Sequence, residues 1–520
     1  MPNPKRSGAW TLVATGLGLF MIFLDATIVN VALPGIQRQF DTGESGIQWV
    51  VASYSLTMAM FMMTAATFGD LRGRRRAYVV GLIVFCIASA ACTVAPTLPF
   101  LVVARGVQGV GAAVVNVASL ALVGAAYPDP KAKAKAIGMW TGIAAIGLAI
   151  GPTVGGVLTE QIGWRSIFVF NPVIGVVAIV LTYVSVGESR DPSDRSFDVT
   201  GQLLFIIGIG ALTFALVQAP QSGWTSTPIV VSAAVAIVVL VSFVWFELRA
   251  RAPMMDVRVF ADRVYTAAIY TVFASLFCVY GTLFVITQYF QNVRDYSPER
   301  AGLLMLSFTL PAVVLAPIVG RIVAARGGRG PSLVGLTCAV LGTAILATGD
   351  ASHLPVTLAG LTLVGATGGI AVASATSIAM SGIAPERSGM ASGILSSQRA
   401  LGSTAGFAIM GSVLAVTVAG VLPDRLESSI PSSADRTAVV DQVVADANPN
   451  AVTALIGPGK PLPDNVRDDD EVLAATDAAF VTGIRVAMVV GCGVALSALV
   501  LGWFLFPRRR SRGGPVAATS

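Results

Sequence analysis

Apolar runs separated by short polar breaks repeat along the whole chain. They fall near residues 10–33, 47–69, 77–95, 99–126, 136–158, 165–187, 199–219, 227–246, 265–290, 299–319, 332–350, 355–382, 389–419 and 479–506. Each has about the 20 residues that cross a bilayer as a helix, so the pattern predicts fourteen spanning helices. One break is long: residues 421–478 hold eleven acids and four bases, with Gly, Pro and Ser throughout. That segment is too polar to span, and within it Arg436–Ala447 reads as a short helix. The behaviour of loops in general favours a tolerated surface insertion. The alternative is a partial cap over an outward exit.

Composition agrees. Of 520 residues, 55% are hydrophobic and 12% charged, against roughly 25% charged in soluble proteins, and the mean hydropathy is +0.77. A large soluble enzyme, a disordered chain and a disulfide scaffold are excluded. The net charge of +6 does not indicate a nucleic-acid partner, because the basic residues cluster between apolar runs. Alternate segments, counted from the amino terminus, hold 23 of the 34 basic residues, the opposite segments hold 8, and Arg105, Arg399 and Arg485 lie within spans. This asymmetry places both termini in the cytoplasm. Lys5 and Arg6 precede an apolar run too long for a signal-peptide core, so the first span is expected to stay uncleaved. The five cysteines lie in apolar segments without CxxC spacing; they read as buried thiols, and no metal site is expected.

A weak repeat relates Ala66–Arg75, after the second span, to Gly320–Arg329, after the tenth, at an offset of 254 residues. It divides the chain into a six-helix half (1–190), two inserted helices (191–263) and a second six-helix half (264–520) containing the long loop. The expected fold class is an all-α membrane protein with a central cavity between related halves. No phosphate-binding loop is present, so ATP is not expected as the energy source. The sole histidine, His353, sits at a helix end, which leaves proton handling to carboxylates.

One carboxylate stands deep in a span: Asp25, roughly 12 Å from the outer end of the first helix at 1.5 Å per residue. An anion in hydrocarbon is costly, so Asp25 should face the bundle interior. Arg105, in Arg105-Gly106-Val107-Gln108-Gly109, lies roughly 9 Å from the same side. Burial favours the neutral acid and a nearby guanidinium favours the anion, so a change in their separation would load or release a proton. A static ion pair that fixes packing is the alternative. The fifth span carries Gly147, Gly151, Pro152, Gly155 and Gly156; glycines four apart permit close helix approach, either as ordinary packing or as a contact between halves. In the break between spans two and three, Gly73 permits a tight turn. Asp70 there can sit at a helix amino end, and Arg74, Arg75 and Arg76 are either topology signals or a charge latch. Arg399 has no acidic neighbour in sequence. Binding a substrate anion, holding a helix break and pairing with backbone carbonyls remain equal readings.

Together these segments resemble the major facilitator superfamily, and within it the 14-helix drug:proton antiporter branch, over almost the whole chain except the long loop. Leu24–Pro34 looks like the first-helix signature of that branch. Arg105–Gly109 is similar to its arginine motif, Gly147–Gly156 to its antiporter motif and Gly69–Arg76 to its loop motif, with Ala66 in place of a glycine. Gly163–Arg165, Asn171–Pro172 and Gln288–Gly302 also resemble the family. The resemblance implies alternating access by rocking halves, with export driven by proton entry and no cofactor. It implies proton coupling by Asp25 and Arg105, gating by Asp70, Gly73 and Arg74–Arg76, and antiport through the Gly147–Gly156 segment.

The expected function is a proton-coupled exporter of amphipathic drugs or toxic small molecules, acting as a monomer in a bacterial cell membrane. Candidate cavity residues are Asn30, Tyr54, Gln108, Asn116, Trp140, Gln288, Gln398 and Arg399. A dedicated exporter of one endogenous lipid, siderophore or antibiotic is the alternative. A membrane-embedded enzyme is disfavoured, because the spans lack clustered His, Cys or paired Asp.

Overall fold

The computed structural model describes residues 4–127, 129–189, 198–250, 257–348, 353–381, 388–430, 432–446 and 469–506. These residues are helical apart from short connections. The first half comprises α1 (Pro4–Phe40), α2 (Glu44–Arg72), α3 (Arg74–Thr93), α4 (Leu98–Ala126), α5 (Pro130–Gln161) and α6 (Ser166–Ser185). The inserted pair is α7 (Val199–Ser222) and α8 (Thr227–Glu247). The second half begins with α9 (Arg263–Gln288), followed by α10 (Pro298–Leu304) and α11 (Leu306–Arg326), which form one bent span. It continues with α12 (Arg329–Thr348) and with α13 (Leu354–Thr367) and α14 (Ala373–Ser381), joined by a π-turn over Gly368–Val372. It ends with α15 (Ser388–Arg425), α16 (Ser433–Asp446) in the long loop, and α17 (Asp469–Leu505). Thirteen described stretches are long and apolar enough to cross a bilayer, and Gly46–Met62 of α2 is a shorter apolar one. Together they correspond one to one with the fourteen expected spans. Many helices outrun the apolar runs, α1 and α17 most of all, because backbone hydrogen bonding continues past the hydrocarbon boundary.

Fourteen spans leave both termini at one end of the bundle, here the terminal end; the opposite, loop end carries α16. At the loop end a single buried core joins the halves, with Ile28, Val29 and Ile47 from the first and Phe284, Phe290 and Met305 from the second. At the terminal end the first half has its own core around Leu12, Tyr78, Leu122 and Trp140. α16 docks Val439 and Val443 into the shared core beside Leu422, Leu426 and Val472. The described part of the long loop is therefore a packed cap.

α7 spans the groove between the halves. Gln202 of α7 donates to the Met60 carbonyl of α2 (2.8 Å) and pairs with Thr64, while Ser412 of α15 donates to the α7 carbonyl of Leu216 (2.7 Å). α8 packs on α7 and exposes Val231, Ile237, Val238, Val241 and Trp245, the apolar face expected toward lipid.

The sequence repeat has a structural counterpart. Arg75 Nη1 donates to the Val186 carbonyl at the end of α6 (3.1 Å), and its guanidinium lies 5.8 Å from the Tyr183 ring. Its partner in the repeat, Arg329, donates to the carbonyls of Phe506 (3.0 Å) and Trp503 (2.8 Å) at the end of α17 and lies 5.7 Å from the Trp503 ring. In each half the last arginine of the repeat thus satisfies the orphan carbonyls of the final helix.

The π-turn follows a close backbone approach: Gly365 and Gly369 lie against the Phe308 and Ala312 carbonyls of α11. A Cβ at Gly365 would overlap the Phe308 carbonyl, whereas one at Gly493 of α17 would meet nothing within 4 Å. Gly365→Ala is expected to cost about 1–3 kcal/mol through overpacking, and Gly493→Ala to be neutral or slightly stabilising. Thermal unfolding of the two variants in detergent checks the contrast.

Candidate functional site: a buried ion pair and a seam between halves

Five helices of the first half converge on Asp25. Arg105 of α4 donates through Nη1 to Asp25 Oδ2. Asp25 Oδ1 accepts from Gln108 Nε2 (2.9 Å) and from Asn171 Nδ2 of α6 (2.7 Å). Arg105 also donates to Gln108 Oε1 (2.7 Å) and, through Nε, to the Val50 carbonyl of α2 (3.2 Å). Ser89 of α3 accepts from Asn171 (2.8 Å) and Gln108 (3.3 Å) and donates to the Phe168 carbonyl (2.9 Å). The guanidinium lies 4.4 Å from the Tyr54 ring centre, and Tyr54 is tied by its hydroxyl to the Ile22 carbonyl (3.0 Å). Asp25, Arg105 and Gln108 are wholly buried. The site is a buried ion pair whose carboxylate accepts from three side chains.

Two expected cavity residues, Tyr54 and Gln108, are buried beside this pair: Gln108 bonds both charges, and Tyr54 presents its ring to the guanidinium while its hydroxyl goes to Ile22. Asn30 Nδ2 donates to the Ala26 and Thr27 carbonyls (both 3.2 Å), and its Oδ1 is buried with no partner. The Asn116 carbonyl accepts from Ser119, which in turn accepts from Trp140 Nε1 (3.3 Å). Gln288 is buried at the end of α9, while Gln398 and Arg399 are half-buried on α15. Sequence reasoning missed Ser89 as a member of the pair's shell and did not assign Asn171 to it.

The small residues of α5 divide between two faces. Gly147, Gly151 and Gly155 lie on α1: a Cβ would meet the Phe20 carbonyl at 2.6 Å from Gly147, the Thr27 hydroxyl from Gly151 and the Ile28 carbonyl at 2.8 Å from Gly155. That face packs within the first half and does not form the contact between halves. Pro152 and Gly156 do form it. A Cβ at Gly156 would meet the Pro298 carbonyl at 2.6 Å, and one at Gly302 of α10 the Pro152 carbonyl at 2.5 Å. Thr153 donates to the Gly302 carbonyl (3.2 Å), and Glu160 accepts from the Glu299 amide (3.0 Å). Gly138 lies 18 residues, five full turns, before Gly156 and so on the same face. A Cβ at Gly138 or Gly142 would meet nothing within 4 Å. The seam is shut at the loop end and unfilled toward the terminal end.

In the connection after α2, Gly73 has φ +104°, and a Cβ there would meet Glu188 at 2.7 Å. Glu188 accepts from the Arg75 amide (3.0 Å), and Arg76 lies 3.8 Å from it. The Arg74 amide donates to the Ser189 carbonyl (2.9 Å). The turn is thereby fastened to the end of α6. Asp70 falls on α2, and its side chain lies outside the described residues.

Removing one partner of a buried pair leaves an uncompensated charge, at a cost of about 3–5 kcal/mol. Arg105→Leu should lower the thermal unfolding midpoint more than the double variant Asp25→Asn/Arg105→Leu, although the latter changes more residues. Unfolding of the purified variants, followed by tryptophan fluorescence, checks this order.

Residues 15–407 match the Major Facilitator Superfamily. The chain is 47% identical over 504 residues to the multidrug resistance protein Stp of Mycobacterium tuberculosis, covering 97% of this chain and 93% of that one. It is 41% identical over 500 residues to the drug efflux pump JefA of the same organism, covering 96% and 98%. The crystal structure of the human organic anion transporter MFSD10 superposes with a TM-score of 0.61 at 15% identity, over 96% of this chain and 100% of that one; it shares the fold. With an all-helical fold whose halves meet at a glycine-lined seam, these matches place the chain in the Major Facilitator Superfamily, as a multi-pass membrane transporter and not an enzyme.

Proposed function

We propose that this protein exports amphipathic drugs or toxic small molecules from the cell in exchange for protons, by alternating access. The observation that carries the reading is Asp25, an acid enclosed in mid-span whose charge is balanced by Arg105. The names of Stp and JefA support drug efflux as the activity. The excess of basic residues at the terminal end supports both termini being cytoplasmic in a bacterial cell membrane. In that orientation the close backbone contact at Gly156 and Gly302 lies toward the outside, and the unfilled positions Gly138 and Gly142 lie toward the cytoplasm.

The proposed units are residues 1–190 and 264–520, rocking as two bodies, with 191–263 as the inserted pair. Opening the loop end would expose Asp25 to external protons. A proton on Asp25 removes the counter-charge of Arg105 and loosens the helices that the pair ties together. Asp70, Gly73 and Arg74–Arg76 act as the cytoplasmic gate, and Pro152 and Gly156 as the outer seal, with Gly147, Gly151 and Gly155 coupling α5 to the helix that bears Asp25. The chain works as a monomer and without a cofactor, its energy coming from the gradient. One charge crossing 100 mV yields about 2.3 kcal/mol, enough for a substrate ratio of about 50.

Energised inverted vesicles loaded with a lumenal pH probe test the reading. Adding tetracycline or a lipophilic dye to wild-type vesicles should raise the lumenal pH, and Asp25→Asn should abolish the response. An undiminished response in Asp25→Asn would remove Asp25 from the coupling step.

A further inference from the structure

Arg399 is the unbalanced counterpart of Arg105. It lies on α15 five residues, about 7.5 Å, inside the apolar stretch that begins at Ile394. Among the described residues one polar contact holds it: Nη2 donates to the hydroxyl of Thr376 on α14 (2.8 Å). Its Nε is buried without a partner, and no described carboxylate lies within 4.0 Å of the guanidinium. The other arginines that serve the architecture look different. Arg105 has a carboxylate, an amide and a carbonyl, while Arg75 and Arg329 cap helix ends. A guanidinium kept only for packing would be satisfied in the same way, since an unpaired charge in a low dielectric is costly.

The surroundings of Arg399 suit an amphipathic anion. Gly402 and Gly406 press α15 onto the α9 backbone at Phe273 and Phe277, which sets Arg399 between α9, α14 and α15. α15 packs against α2 of the first half as well as against α9. On its α9 side Tyr280 packs edge-on against Phe407 (ring centres 5.5 Å apart). The helix that bears Arg399 therefore stands at the interface of the two halves and carries an aromatic pair. Guanidinium groups bind carboxylates through parallel hydrogen bonds, and Nε of Arg399 has no partner among the described residues.

We propose that Arg399, oriented by Thr376, binds the acidic group of substrates that carry a carboxylate or an ionised phenol on an aromatic body. This rests on the exporter reading for its biological role, although binding can be measured apart from transport. The probes are rhodamine B, which has a free carboxylate, and its ethyl ester, which differs only there. Fluorescence anisotropy with protein in nanodiscs gives both affinities. Wild type should prefer the acid by about tenfold or more, the value of one charge-assisted hydrogen bond. Arg399→Gln should erase the preference, weakening the acid and leaving the ester within about twofold. Thr376→Val should weaken the acid severalfold and Arg399→Lys should keep part of the preference; both report even if Arg399→Gln fails to fold. Equal affinity of wild type for the two dyes, absence of acid binding, or equal weakening of both by Arg399→Gln overturns the proposal. Dye export from vesicles separates the two readings. Export of both dyes at rates indifferent to Arg399 keeps the exporter and discards the subsite. Arg399-dependent binding of the acid without export of either dye keeps the subsite and discards the exporter.

Discussion

The ion pair between Asp25 and Arg105 fixes how the first half can be built. Two charges removed from water are tolerable only if each remaining lone pair and proton finds a partner. Here Val50 of α2, Gln108 of α4 and Asn171 of α6 bond the pair directly, and Ser89 of α3 accepts from Gln108 and Asn171 in turn. Helix rotations and registers that would otherwise be free are set by this requirement. α1 in turn lies on the glycine face of α5, so its position is passed along Gly147, Gly151 and Gly155 to the helix that meets the second half. A chemical event at one carboxylate is thereby connected to the seam by a short chain of packed backbones.

Beside the side-chain core that joins the halves at the loop end, the seam between α5 and α10 relies on close backbone approach. Backbone faces backbone at Pro152, Gly156, Pro298 and Gly302, with few polar links beyond Thr153 and Glu160. Dispersion forces of this kind fall steeply with distance. A displacement of an ångström or two therefore forfeits most of the attraction, so such a contact is either made or broken. The arginine clamps have the opposite character. Arg75 and Arg329 hold the final helix of each half to its own loop, and they keep each half whole while the seam between halves changes.

Much of this was legible in the chain. Charges inside apolar runs are rare enough to be noticed, and the rise per residue put Asp25 and Arg105 at similar depth, where the structure joins them. The fourteen spans follow from length and apolarity alone. The partners of the pair were harder to read, because Ser89 and Asn171 are uncharged, and such residues in helices commonly satisfy themselves on nearby carbonyls. Gly155 and Gly156 differ by one position yet face different helices, a distinction that spacing does not carry without knowing which neighbour lies on which side. Glu188 meets Arg75 across 113 residues of sequence, beyond the reach of any local pattern. The cap helix α16 was visible as a short helical fragment, but its docking depends on a surface formed by α15 and α2.

Two halves packed side by side have two seams open to lipid, one between α2 and α15 and one between α5 and α11. α7 lies across the first, bonded to both sides. Among the described residues no helix lies across the second, and its α5 face is unfilled at Gly138 and Gly142. The inserted pair thus makes a nearly symmetric body one-sided. An amphipathic molecule dissolved in the leaflet at the terminal end meets a bonded helix on one flank and bare glycine backbone on the other, so the two flanks differ before any binding group is reached.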